Sequence, residues 1–243
     1  MRFSRFVGML LVVATVVVHS VSERSVAQEF TTRKVELKAG NTIEYGYIEP
    51  DDFDPSKEYP VLLALPPGAQ NRQMVKASFD LYWNQGGKNG WVIIAPAAPD
   101  GKFFNKGSEV LIPSFLEMMK KRYKPVGGKF HLAGVSNGGT SAFRIAGLYP
   151  DEFHSLIAMP GFPVNSADKK RLAKLKDIPV ALFAGAKDTR WVNPMAETAE
   201  ALKEQGTDVT FEKIAGQGHV IQKWQDGKKL FELLNKWNDQ ATK

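Results

Sequence analysis

The chain has 243 residues, 43% of them hydrophobic and 24% charged, with 32 Lys and Arg against 26 Asp and Glu. This composition excludes a disordered or fibrous protein and fits one globular domain with a substantial core. The net charge of +6 is spread among interspersed acids, and there is no cysteine, so a clustered nucleic-acid face, disulfides and thiolate metal sites are not expected.

At the N-terminus, Arg2 and Arg5 precede an apolar run over 6–18. Ser25 and Ala27 then stand at the −3 and −1 positions of a small-residue cleavage site. This pattern predicts a secretory signal peptide over 1–27 and a single domain over 28–243. An uncleaved anchor is the competing reading, but the run is shorter than the roughly 20 residues that span a bilayer. No membrane association is expected after cleavage. Export without cysteines points to a bacterial periplasm or exterior, where only the core holds the fold.

Beyond the signal, Val35 and Leu37 alternate with polar residues, as do Ile43, Tyr45 and Tyr47, with KAGN between them. That is an antiparallel hairpin with one buried face. The pattern then changes to short, almost wholly apolar runs: 61–65, 91–96, 130–134, 155–159 and 180–185, with a more amphipathic strand at 209–214. Such runs belong to parallel strands covered on both faces. Helical periodicity separates them at 71–84, 107–122, 139–148, 167–176, 194–205 and 223–238. The basic runs KKRYK (120–124) and KKRLAKLK (169–176) fall at helical spacing and read as solvated helix faces. The predicted class is α/β: a mostly parallel central sheet with an N-terminal antiparallel hairpin and helices on both faces.

The stretch HLAGVSNGG (131–139) joins a predicted strand to a predicted helix and contains G-x-S-x-G, from Gly134 to Gly138. In such a turn a side chain at either glycine collides with its neighbours, and the serine hydroxyl is lifted clear of the sheet. A serine hydroxyl needs a base, and the base needs an orienting acid. Of the histidines after the signal, His131 lies within the strand leading to Ser136 and His154 starts the next strand at the opposite edge. Both read as structural. His219 follows the last strand, at the carboxyl end of the sheet where parallel α/β proteins bind ligands. Asp188 follows the 180–185 strand at the same end, whereas Asp177 and Asp208 precede strands. Ser136, His219 and Asp188 are therefore the candidate nucleophile, base and orienting acid. For Asp188, a helix cap before NPMAETAEAL is the competing reading. An oxyanion needs two N–H donors. They are assigned to Asn137 and, in PPGAQN (66–71), to Ala69, with Gln70 as the neighbouring alternative.

The runs YPVLLALPPG (59–68), HLAGVSNGGTSAFRIAGLYPDEF (131–153), ALFAGAKDTRW (181–191) and GQGHV (216–220) resemble the α/β-hydrolase superfamily. Within it, the chain is most similar to secreted serine esterases of the feruloyl-esterase, polyhydroxybutyrate-depolymerase and phospholipase/carboxylesterase type. The order Ser136, Asp188, His219 is that superfamily's order. Where these enzymes usually show His-Gly in the oxyanion loop, this chain has Pro67-Gly68. The resemblance implies an α/β-hydrolase fold and cleavage of carboxylic esters through an acyl-enzyme, with no metal or organic cofactor. Only 162–178 separates two strands where many relatives insert a lid, so no large lid is expected and the cleft should suit small-molecule or polymer-linked esters. Phe103, Phe104, Phe162 and Trp191 sit on the predicted active-site loops and, with Gln70, form the candidate substrate-binding set; ordinary loop packing is the competing reading. The alternatives are a serine peptidase with prolyl-oligopeptidase-like chemistry and a non-catalytic binding module on the same scaffold.

Overall fold

A computed structural model of the protein describes residues 30–38 and 40–241; the expected signal segment, residues 1–27, lies outside them. Among the described residues there are eight strands: β1 (Thr31–Glu36), β2 (Thr42–Ile48), β3 (Val61–Leu65), β4 (Val92–Pro96), β5 (Phe130–Gly134), β6 (Phe153–Ala158), β7 (Val180–Gly185) and β8 (Val209–Ile214). They form one sheet in the order β1-β2-β4-β3-β5-β6-β7-β8. The β1–β2 and β2–β4 pairings are antiparallel and the other five are parallel.

The side-chain period of a strand decides what covers it. Val61, Leu63 and Leu65 of β3 face a core shared with Phe115, Ile145 and Met195. These come from α2 (Ile112–Tyr123), α3 (Asn137–Leu148) and α5 (Thr189–Glu204). Leu62 and Ala64 face a second core with Val75 of α1 (Arg72–Ser78) and Leu230, Phe231 and Leu234 of α6 (Lys228–Ala241). The short helix α4 (Ser166–Arg171) joins β6 to β7 on the first side. Every residue of β3, β4, β5 and β7 is buried. Full burial of a Val, Leu, Ile or Phe is worth about 1.5–3 kcal/mol, so these four strands carry much of the stability. Among the described residues, no helix is long and apolar enough to cross a membrane.

The chain moves from β3 to β4 on one side, then back across to β5 on the other. The carboxyl ends of β3 and β5 are thereby neighbours at the point where the strand order reverses, the place where open α/β sheets bind ligands.

Several helices differ from the expected bounds: 71–84 ends as an α-helix at Ser78 and runs on as a π-helical turn, and 107–122 opens with a 3-10 turn before Ile112. The 194–205 helix begins earlier, at Thr189, and carries Pro194 inside it. The Asp188 carbonyl accepts from the N–H groups of Trp191 and Val192 and nucleates the first turn ahead of the proline. The 223–238 helix begins later, at Lys228. Trp224, which extended the apolar periodicity, is buried from a separate 3-10 turn, with its ring 4.6 Å from that of Phe183.

His131 is a core residue, 1% exposed, with its ring 4.9 Å from that of Trp91 and Nδ1 2.8 Å from Ser155 Oγ. Burial, then the neighbouring His154, pushes its pKa from 6.5 down to about 3. Between those values the unfolded chain binds a proton that the folded chain excludes. Stability therefore rises with pH across this window and is lost on acidification, at up to about 1.4 kcal/mol per pH unit. In His131→Leu, the urea midpoint should change less steeply between pH 6 and pH 4 than in the wild type, by about one proton's worth of slope. An unaltered slope would mean that the ring titrates alike in both states.

Candidate active site

Ser136 joins β5 to α3 with φ 56° and ψ −117°, a backbone conformation that side-chain-bearing residues rarely adopt. The turn is this tight because its flanks carry no side chains. A Cβ at Gly134 would overlap the Gly138 carbonyl, and one at Gly138 would overlap the carbonyl of Leu65 at the end of β3. The elbow therefore lies directly against the β3 loop.

Asp188 and His219 reach the same rim from β7 and β8. The Ala186 N–H donates to the Ile214 carbonyl and the Lys187 N–H to the Gln217 carbonyl, each at 2.9 Å, which ties the two loops together. A Cβ at Gly185 would overlap the Gly218 carbonyl, so the close contact of the loops depends on glycine there. The Ile221 N–H donates to the buried Tyr82 hydroxyl, anchoring the far side of the His219 loop.

Ser136 Oγ lies 2.8 Å from His219 Nε2, and His219 Nδ1 lies 2.6 Å from Asp188 Oδ2. An ionised carboxylate only accepts, so Nδ1 carries the imidazole proton and Nε2 accepts from the serine hydroxyl. Asp188 stands at the N-cap position of α5 but makes no side-chain capping bond; its carboxylate is turned to His219. The Asp188 side chain is 13% exposed and that of His219 43%, so the relay opens to solvent at the imidazole. His131 stays inside β5, and His154 sets Nε2 3.0 Å from the Val126 carbonyl; neither joins the cluster.

The loop after β3 is organised by Gln70, which is 0% exposed with φ 54°. Its Nε2 donates to Ser141 Oγ and to the Pro66 carbonyl, and its Oε1 accepts from the Phe104 N–H at 2.8 Å. Its own N–H donates to the Pro67 carbonyl, and its carbonyl accepts from the Ala98 N–H. Gln70 thus has neither a free N–H for an oxyanion nor a surface for a substrate. The expectation that it lines the cleft is corrected, because each of its polar groups is spent inside the protein. Phe104 is likewise corrected: it is 0% exposed and packs in the core beneath the loop. Asn137 Nδ2 donates to the Gly68 carbonyl at 2.8 Å, linking elbow and loop. Among the described residues, the backbone N–H groups of Ala69 and Asn137 have no acceptor.

Of the remaining expected residues, Phe103 is half-buried and lies 5.3 Å from Lys106 Nζ. Phe162 and Trp191 form an edge-on pair with centroids 5.2 Å apart, and Trp191 lies 5.2 Å from the His219 ring. Beyond Phe162 a cavity of about 320 Å³ opens between the 162–164 segment, α4 and α5. The supporting roles of Gln70 and Gly185 were not visible in the sequence. A single Gln or Gly in a loop carries no pattern, and only the approach of other segments defines its task.

No protein-family model matches the chain, and no curated protein sequence matches it. Solved structures do match. A thermostable esterase aligns with a TM-score of 0.62 at 17% identity, over 88% of this chain and 61% of that one. Dipeptidyl peptidase 4 of Porphyromonas gingivalis aligns with a TM-score of 0.69 at 15% identity, over 85% of this chain and 35% of that one. A ferulic acid esterase aligns with a TM-score of 0.64 at 17% identity, over 87% of this chain and 98% of that one. The chain thus spans about three fifths of the thermostable esterase and about a third of the peptidase. Identities this low speak to architecture alone, and the architecture is the α/β-hydrolase fold.

Replacing Gln70 by Leu should leave the Phe104 N–H without its acceptor inside the protein. Such a loss costs about 1–3 kcal/mol. The expected outcome is a lower denaturant midpoint of that size, measured by tryptophan fluorescence, with the fold retained by circular dichroism. An unchanged midpoint would show that the loop does not depend on this side chain.

Proposed function

We propose that the protein is a serine hydrolase that cleaves carboxylic esters, with Ser136 as nucleophile, His219 as general base and acid, and Asp188 as the group that orients the imidazole. The observation that carries this reading is the continuous relay from Ser136 Oγ through the His219 ring to Asp188 Oδ2, at 2.8 and 2.6 Å. Ser136 Oγ attacks the ester carbonyl while Nε2 takes its proton. The carbonyl oxygen becomes an oxyanion facing the N–H groups of Ala69 and Asn137. The C–O bond then breaks, His219 returns the proton to the departing alcohol, and the acyl group stays on Ser136. Water, deprotonated by His219, releases it as a carboxylic acid and restores the serine. Asp188 keeps the proton on Nδ1 and stabilises the imidazolium. This chemistry needs no metal or organic cofactor.

The esterases among the matched structures support ester over amide cleavage. The ferulic acid esterase is covered almost end to end, whereas the dipeptidyl peptidase extends far beyond the aligned part. An unlidded site supports bulky or polymer-linked substrates: the connection from β6 to β7 holds only α4 and a 3-10 turn, and the imidazole is open to solvent. Phe162 and Trp191 supply an apolar wall beside the relay. The reading also includes export through the N-terminal segment.

The first test is hydrolysis of p-nitrophenyl acetate. Ser136→Ala should lower kcat by at least about ten-thousand-fold, and Asp188→Asn by about a thousand-fold or more. A fluorophosphonate probe should label the wild type and not Ser136→Ala. An Ala variant that keeps most of the wild-type rate would end the proposal.

A further inference from the structure

We propose that the enzyme prefers esters whose alcohol part carries an anionic group, and that Lys187, Arg190 and Lys223 form the flank that receives it. This inference rests on the serine-esterase reading above and names the substrate class of the same site.

The three cations belong to the two loops that carry the orienting acid and the base. Lys187 directly precedes Asp188, and its N–H donates to the Gln217 carbonyl. Lys223 lies four residues after His219, and its N–H donates to the side chain of the same Gln217 at 3.1 Å. Arg190 lies in the first turn of α5, two residues after Asp188. All three side chains are exposed. None makes an ion pair or a side-chain hydrogen bond among the described residues.

Elsewhere part of the basic charge is neutralised at contact distance and part is likewise unpaired among the described residues. Arg33 pairs with Glu49, Lys38 with Glu117, Lys120 with Glu152, Arg144 with Glu109 and Asp168, and Lys229 with Glu212. The 186–191 and 215–227 loops also hold two acids. Asp188 faces His219, and Asp226 accepts from the Lys228 N–H. Local packing does not explain Arg190 either. The first turn of α5 holds no acid, and a cation at a helix N-terminus opposes the helix dipole. The flank is therefore exposed and free of contact ion pairs, and its three cations outnumber the two carboxylates of the same loops, Asp188 and Asp226.

Its position identifies the half of the substrate it meets. His219 delivers a proton to the leaving oxygen, so the departing alcohol lies against the base and its loops. The oxyanion donors Ala69 and Asn137 stand on other loops, after β3 and at the elbow. An alcohol bearing a carboxylate, sulfate or phosphate would place its charge among the three cations. Exposed charges of this kind act mainly by steering and capture, so salt weakens them.

The experiment compares 3-acetoxybenzoate with its neutral counterpart, methyl 3-acetoxybenzoate, at pH 8. The acyl group is the same and the charge sits on the leaving group. Raising the salt from about 0.02 to about 0.5 M should lower kcat/KM for the anion about tenfold, and for the neutral ester less than twofold. Lys187→Gln, Arg190→Gln and Lys223→Gln combined should lower kcat/KM for the anion roughly ten- to thirtyfold and remove its salt dependence. The neutral ester should be cleaved by this variant within about twofold of the wild-type rate, which also verifies folding. Equal salt dependence for the two esters would overturn the inference and leave the esterase reading intact. Discrimination that survives in the triple variant would overturn the assignment to these residues. If the wild type cleaves neither ester and Ser136 resists the fluorophosphonate, both readings fall.

Discussion

The site depends on one close contact, that of the nucleophile helix with the end of the neighbouring strand. Gly138 of α3 lies against the Leu65 carbonyl, with no room for a Cβ between them. That approach places the serine turn beside the loop that begins at Pro66. It also sets the Asn137 side chain within 2.8 Å of the Gly68 carbonyl. Larger separation would leave the serine hydroxyl and the Ala69 N–H on surfaces that no single substrate carbonyl can touch. The contact exists because the chain crosses from β4 back past β3 to β5, making β3 and β5 neighbours.

Around that contact the protein uses buried polar groups to hold exposed ones. Gln70 spends both ends of its amide inside the protein, and through it the β3 loop, the 97–104 segment and α3 become one unit. Such a network is rigid because breaking any member leaves a buried group unpaired. On the other side, two backbone bonds and the Gly185–Gly218 contact lock the Asp188 loop to the His219 loop. The groups assigned to chemistry sit at the surface of these two units, and α5 and the Phe162–Trp191 pair close the space beside them. Electrostatics follows the same division. Buried Asp168 and Glu109 take up Arg144 within the fold, while the cations of the Asp188 and His219 loops are left to water.

Much of this was legible in the chain because it depends on period and spacing. Buried strands such as 61–65 and 180–185 declare themselves as unbroken apolar runs, and the serine between glycines declares a tight turn. His219 and Asp188 stand out in the chain because they follow strands rather than precede them, and a parallel sheet gathers all such positions at one edge. Helix starts were less legible. Helix α5 begins at Thr189, ahead of the expected 194, because the Asp188 carbonyl accepts from the Trp191 and Val192 N–H groups and opens the turn before Pro194. The aromatic residues divided in a way that type alone does not reveal: Phe103 stays partly exposed while Phe104, its neighbour, lies wholly inside.

The sequence by itself determined the class of fold, the edge of the sheet at which the site lies and the residues able to form a relay. Local periodicity and chain order encode these, and both survive without coordinates. Only the tertiary structure decided that Gln70 is a strut rather than a wall, that the Asp188 carboxylate turns to an imidazole instead of capping its helix, and that three lysine and arginine side chains of the Asp188 and His219 loops go unpaired among the described residues. Each of those outcomes depends on which distant segment comes within about 3 Å, and hydrogen bonds and ion pairs fall off too steeply with distance for linear order to foretell them.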